Sequence, residues 1–108
     1  MITIQEVRWI ALALPEAVEQ THWGNPSFRI GGRIFATVPD DEHVNVMIDP
    51  FDAEAAVRAE PECCEELWWG KRLSGVRVTL PRASPTLVNA LVQAAWRRKA
   101  PKRLLQTG

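Results

Sequence analysis

The stretch S-F-R-I-G-G-R-I-F-A-T-V, residues 27–38, carries the strongest structural pattern in this chain. Two runs rich in β-branched and aromatic residues, 27–30 and 33–38, flank the pair Gly31 and Gly32. Such runs favour β-strands, and glycine tolerates the positive φ angles of a two-residue hairpin turn. The stretch therefore predicts an antiparallel β-hairpin.

Side-chain pairing within this hairpin raises a conflict. If the loop has only two residues, Phe28 lies opposite Phe35 on one face and Arg29 lies opposite Ile34 on the other. Both faces then carry apolar side chains, which does not fit a sheet with one solvated face. Either the loop is longer than two residues, or something also covers part of the second face.

Helix signals occur at three places in the chain. Thr3 and Glu6 have the spacing of a capping box, in which each side chain satisfies a free backbone N–H at the start of a helix. Asp49 and Ser84 are good N-cap residues, and each precedes a proline suited to the first helical turn. Apolar residues then recur at helical spacing. These signals predict helices over residues 4–14, 50–60 and 84–100.

Further strands are predicted on both sides of the second helix. Residues 44–48 and 75–80 alternate apolar and other side chains, and a shorter strand is expected near residues 63–69. The order is helix, three strands, helix, two strands, helix. We therefore predict a two-layer α+β domain, with an antiparallel sheet of about five strands and the helices mainly on one face.

Length and composition indicate one ordinary globular domain over residues 1–108. The chain has 46% hydrophobic and 24% charged residues, which is sufficient for a core of its own. Its longest apolar run, residues 9–14, is too short for a secretory signal or a membrane span. We expect a cytoplasmic protein that does not bind a membrane.

Patterns that carry catalytic or metal chemistry are missing from the sequence. The two histidines, His22 and His43, have no ligand spacing, and no nucleophile or phosphate-loop motif occurs. Cys63 and Cys64 are adjacent, so a bridge between them would be strained; buried thiols are expected, with a vicinal redox switch as the alternative. We expect no enzyme activity, metal site, cofactor or small-molecule substrate.

Charge is divided unevenly along the chain. All thirteen acidic residues lie at or before Glu66, whereas nine of the thirteen Lys and Arg residues follow it. Either the basic part contacts a polyanion, or the acidic part folds over it and neutralises it. The densest run is a basic C-terminal tail that starts at about residue 97. The helix dipole accounts for its first three cations, but not for Lys102 and Arg103 beyond Pro101.

Several blocks of the sequence resemble a known family. The segment H-W-G-N-P-S-F-R-I-G-G-R-I-F-A, residues 22–36, and the ending A-W-R-R-K-A-P-K-R-L, residues 95–104, resemble the MmcQ/YjbR family of small bacterial proteins. Residues 12–15 and 75–80 fall in matching order between them.

This resemblance implies an α+β fold likened to bacterial frataxin and to secretion chaperones. It also implies DNA binding, based on a winged shape with basic character. The chain departs from longer members of the family, which carry an Asn-Lys-Lys-His-Trp segment before the fifth strand. Residues 72–75, Arg-Leu-Ser-Gly, occupy that region here, so no role of that segment is carried over.

Two function hypotheses remain open from the sequence. The first is a non-catalytic module that contacts the phosphate backbone of DNA without strong sequence specificity. The second is a protein-interaction or homodimerising module. Trp68 and Trp69 serve either hypothesis, because a partly exposed indole can stack on a base or cover a protein contact. The predicted nucleic-acid contacts are Arg97, Arg98, Lys99, Lys102 and Arg103, with Lys71, Arg72, Arg77 and Arg82 in support.

Overall fold

The predicted hairpin lies within a six-stranded antiparallel sheet in the computed structural model, which describes residues 2–105. The strands follow the order β1-β2-β3-β4-β6-β5 across the sheet. Because β6 lies between β4 and β5, the chain leaves the sheet after β4 and returns on the far side of β6. The strands are β1 (Val18–His22), β2 (Asn25–Ile30), β3 (Arg33–Asp40), β4 (His43–Val46), β5 (Cys64–Trp69) and β6 (Arg72–Thr79).

The predicted helices are present, and their caps form as the sequence indicates. The Thr3 side chain accepts from the backbone N–H of Glu6, and the Glu6 carboxylate accepts from the backbone N–H of Thr3. Asp49 and Ser84 cap the next two helices. The α+β class is therefore confirmed. The helices are α1 (Ile4–Leu12), α2 (Pro50–Ala59), α3 (Pro85–Lys99) and the short α4 (Lys102–Leu105), with a 3-10 turn at Leu80–Arg82.

Strand β1 was not predicted, so the expected count of five strands was one too low. Its sequence, V-E-Q-T-H, is almost entirely exposed. It lacks the alternation of apolar and polar residues by which a strand is predicted from sequence. Its structure depends on β2, along which it pairs from Val18 opposite Arg29 to His22 opposite Asn25. An edge strand of this kind is specified by its neighbour rather than by its own side chains.

A β-bulge changes the pairing in the hairpin but leaves Ile34, which is partly buried, opposite Arg29 on the second face. The two-residue loop is confirmed, and Arg29 lies opposite Ile34 as expected. The register then shifts, so that Phe28 pairs with Ala36 rather than with Phe35. The prediction for Phe28 was therefore wrong by one residue. The extra residue lets Phe35 and Ala36 be buried in succession.

The core lies where α2 and α3 contact the sheet. Helix α3 contacts β3 and β4, α2 contacts β5 and β6, and α1 packs on α3. The predicted apolar stripe of α3 is buried, except that Leu87 is only partly buried. Among residues 2–105, no helix combines the length and apolar character that a membrane crossing requires.

Gly75 allows β4 and β6 to approach closely. A Cβ atom built on Gly75 would collide with the backbone carbonyl oxygen of Val46 on β4. Backbone atoms of two central strands cannot move apart without loss of pairing and core contacts. The absence of a side chain at position 75 is therefore a condition for this sheet.

We expect Gly75→Ala to lower the free energy of unfolding by about 1–3 kcal/mol or more, as for other overpacked sites. Gly24→Ala is the matched control, because Gly24 has a positive φ of 81° but nothing lies within 4 Å of its built Cβ. Chemical denaturation of both variants measures the difference. Equal losses would contradict the close approach of the two strands.

Candidate anion-binding site

A cavity of about 370 Å³ lies where the β2–β3 hairpin, the start of β6 and the last turn of α3 meet. Within the described part of the chain, none of its lining residues is acidic. Cations surrounded by other cations repel one another, so such an arrangement favours an anionic ligand. The cavity is lined by five cationic side chains: Arg29, Arg33, Arg72, Arg98 and Lys99.

Packing of the chain beyond α3 positions the helix end over the hairpin. A Cβ built on Gly31 would lie 3.6 Å from Cδ of Pro101, so the proline ring sits against the hairpin turn. One turn earlier, the Trp96 indole is buried and its Nε1 donates to the carbonyl oxygen of Pro15 at 3.1 Å. These contacts hold the last turn of α3, which carries Arg98 and Lys99, beside the hairpin.

Part of the cavity lining is apolar. Ile34, Met47 and Leu73 line the cavity together with the indole of Trp69. Met47 is only 3% exposed, whereas Trp69 is 60% exposed and lies at the β5–β6 turn. The site thus combines a cationic lining with an apolar surface and an accessible aromatic ring.

The pKa of Lys99 reflects the positive charge around this site. Burial of its ammonium group lowers the pKa of Lys99 from the ordinary value for lysine. Three guanidinium groups lower that pKa further by like-charge repulsion, those of Arg98, Arg33 and Arg72. Folding therefore brings positive charges together at a cost. A bound anion would relieve that repulsion.

Direct neutralisation by carboxylates is limited among the predicted cations. Over residues 2–105, the ion pairs within 4 Å join Arg8 to Glu19, His43 to Asp40 and Arg103 to Glu16. Only Arg103 among these belongs to the nine predicted nucleic-acid contacts. Its guanidinium binds both carboxylate oxygens of Glu16, at 2.7 and 2.8 Å, and lowers the pKa of that carboxyl.

Two other predicted cations lie close to polar or acidic groups outside the cavity. Nε of Arg77 donates to Oδ1 of Asn45 at 3.0 Å across the sheet, where Glu65 is its cross-strand neighbour. Arg97 lines a second cleft together with Asp49 and Asp52, and Arg98 lines that cleft as well as the cavity. Neither arrangement makes a purely positive surface.

The remaining predicted cations are exposed at three different places. Lys71 lies in the β5–β6 turn beside Arg72. Lys102 lies at the start of α4, just beyond Pro101. Arg82 is in the 3-10 turn that precedes α3. Helix α3 has 15 residues and is about 22 Å long, and Arg82 lies before its first residue, at the end opposite the cavity.

The two adjacent tryptophans are both half exposed, at 50% for Trp68 and 60% for Trp69. Neither of them enters the core, because Leu67 takes the buried position and the register shifts after it. Trp69 lines the cavity and Trp68 does not.

Sequence reasoning missed Arg29 and Arg33 as site residues. Both lie in the acidic part of the chain, whereas the predicted contacts were all taken from the basic part. The available signal was local: these two arginines flank the Gly31–Gly32 turn, so the hairpin prediction already placed them at one end of the sheet.

Neither cysteine contributes to the site. Both thiols are buried, as expected, and their Sγ atoms lie 3.9 Å apart. Burial raises the pKa of Cys63, and it raises that of Cys64 to about 12. Thiolate formation at neutral pH is therefore suppressed. In the range 2–105, no three His, Cys, Asp or Glu side chains come together as a metal site would require.

Comparison with known proteins decides the family. A family model described as YjbR matches residues 12–98, which is most of the chain. The chain belongs to the YjbR family. Comparison with curated proteins finds no significant match.

The fold of this YjbR-family protein is shared by a solved structure. The crystal structure of Deinococcus radiodurans protein DR2400, with a family-model domain DUF419, is similar at a TM-score of 0.75 and 21% identity. The match covers 89% of this chain and 77% of that protein. At this identity the likeness shows the fold alone.

We expect Lys99→Met to stabilise the protein in the absence of a ligand. The folded state holds the Lys99 proton less tightly than the unfolded state, so the charged group destabilises the fold at neutral pH. Methionine keeps the straight aliphatic chain without the charge. Thermal unfolding should show a higher Tm, with a gain of about 0.5–1 kcal/mol.

The exposed Lys102 provides the control, because Lys102→Met makes the same substitution outside the cavity. The gain from Lys99→Met should shrink as the pH rises toward the ordinary lysine pKa of about 10.4, where both states lose the proton. A lower Tm for Lys99→Met than for Lys102→Met at neutral pH would contradict the repulsion described here.

Proposed function

We propose that this protein is a non-catalytic module that binds nucleic acid through its phosphate backbone. One observation carries this proposal: five cationic side chains line a single cavity with no acidic residue among the described lining residues. Phosphates are the anions that nucleic acids present in closely spaced rows, and arginine recognises them with several N–H donors. No base-specific contact is part of this proposal.

The geometry favours some of the predicted residues over others. Arg72, Arg98 and Lys99 line the cavity and are its central contacts, joined by Arg29 and Arg33. Lys71 and Lys102 flank them in the chain and suit peripheral phosphate contacts. Arg103 is engaged by Glu16, and Arg77 by Asn45. Arg97 and Arg98 both lie beside Asp49 and Asp52, but only Arg98 also lines the cavity, so Arg103, Arg77 and Arg97 contribute less. Arg82 is remote from the cavity.

The lining residues support binding rather than catalysis. Among those described, the cavity contains no carboxylate, imidazole or thiol that could act as a general base or nucleophile. The Ser74 hydroxyl donates to the backbone carbonyl oxygen of Arg72 at 3.2 Å. This set of groups can hold an anion. Lys99, whose pKa is lowered, is the one amine of the described lining, and no carboxylate, imidazole or thiol there pairs with it for proton transfer.

Homodimerisation through strand β5 is the second candidate. Strand β5 is an edge of the sheet and carries the half-exposed Trp68, an arrangement suited to pairing with another strand. Glu65 and Glu66 are exposed on the same strand. Full antiparallel overlap of β5 with a second copy would place Glu65 opposite Trp68 and Glu66 opposite Leu67 of that copy. Size-exclusion chromatography decides between monomer and dimer.

We expect the affinity for short DNA to fall with salt, with a slope of log affinity against log salt of about −0.9 per phosphate contact on a duplex and about −0.7 on a single strand. Arg98→Gln should weaken binding about tenfold at low salt and reduce the steepness of the slope by one phosphate contact. Fluorescence anisotropy with labelled random-sequence oligonucleotides at several salt concentrations measures both quantities.

Arg82→Gln is the control, since it removes the same charge at the opposite end of α3. It should leave the affinity close to that of the unmodified protein. Equal losses in the two variants would mean that net charge, and not the cavity, governs binding. Binding that does not respond to salt, or no binding at low salt, would overturn the proposed function.

A further inference from the structure

We propose that the cavity accepts one unpaired base of single-stranded nucleic acid, with the adjoining phosphates held by the cations around it. This inference rests on the proposed function and specifies its ligand: a single strand rather than a duplex. The inference is based on the apolar part of the site, because phosphate binding alone does not account for it.

A site for phosphate alone does not need an apolar part in its lining. Here Ile34, Met47 and Leu73 line the same cavity as the cations. Inorganic phosphate would leave that apolar surface in contact with water, whereas a purely apolar ligand would leave the cations without a partner. A nucleotide unit supplies both complements, because its base has apolar faces and its phosphate carries the negative charge.

Trp69 adds a specific partner for a base. Its indole is 60% exposed and lines the cavity, so an aromatic face is available to a ligand. Bases stack on such rings with little regard to sequence, which matches a protein without base-specific contacts. Met47 adds a polarizable sulfur, which makes favourable contacts with aromatic rings.

The volume of the cavity limits what can enter it. At about 370 Å³ it is at the small end of ligand pockets, which commonly measure about 300–1,000 Å³. This is enough room for one base with part of its sugar and phosphate. In a duplex, both faces of each base are covered by stacking, and extrusion of a base costs a few kcal/mol. A single strand can present a base at a smaller cost.

Three measurements test this inference, each by anisotropy under the same conditions. The first compares a single-stranded oligonucleotide with its duplex, and we expect the single strand to bind about tenfold more tightly. The second replaces the bases of the single strand by abasic sites, which should weaken binding about tenfold or more, the usual loss when a stacking contact is removed. The third compares Trp69→Ala with the unmodified protein and should show a similar loss.

Trp9→Ala is the matched control for the third measurement. Trp9 is 65% exposed on α1 and does not line the cavity, so its removal should leave the affinity unchanged. Thermal unfolding of both variants verifies that each is folded. The abasic oligonucleotide leaves the protein unaltered, so it tests the base contact even if Trp69→Ala is unstable.

The outcomes separate this inference from the proposed function. Binding that depends on salt and on Arg98 but is equal for duplex, single strand and abasic strand would overturn the base-binding inference and leave phosphate binding intact. Competition by a free nucleoside monophosphate as strong as that by the oligonucleotide would overturn the assignment to a strand. Failure of every nucleic acid to bind would overturn both proposals together.

Discussion

The contact between the end of α3 and the β2–β3 hairpin is the constraint on which the site depends. Pro101 packs on Gly31, and buried Trp96 bonds to the Pro15 carbonyl, so the last helical turn is fixed beside the hairpin turn. That packing brings Arg98 and Lys99 next to Arg33, although like charges repel. The opposing force is burial: Val88 and Val92 of α3 are fully buried, and burial of a valine side chain contributes about 1.5–3 kcal/mol. Repulsion between partly solvated charges is smaller, so the helix docks and the charges accumulate.

This balance gives a physical meaning to the altered pKa of Lys99. A lysine whose pKa is lowered by burial and by three arginines lies at a place where positive charge is disfavoured in the free protein. A bound anion reduces the repulsion among these cations. That reduction contributes to the free energy of binding. Stability and binding are therefore opposed at this position. The opposition is common at functional sites, where residues favourable for binding are unfavourable for the fold alone.

Family membership and fold similarity support the architecture but not the chemistry. The likeness to protein DR2400 at 21% identity concerns the path of the backbone. The same fold can carry unrelated functions, so function must be argued from the side chains of a site. In this chain those side chains are the ones that line the cavity.

Local signals in the sequence determined most of the secondary structure, because caps, turns and apolar periodicity act between residues close in the chain. They identified three helices, the Gly31–Gly32 turn and the α+β class. The uneven division of charge along the chain placed Arg72, Arg98 and Lys99 among the predicted contacts. The local signals did not reveal β1, whose pairing depends on β2, or the bulge at Phe35, which depends on what each face of the sheet must bury. Only the tertiary structure decided which cations meet. Arg29 and Arg33 lie near Arg98 because α3 folds back over the hairpin. Arg103 forms an ion pair with Glu16, which is distant in the chain, because ion pairs depend on proximity in space and not along the sequence.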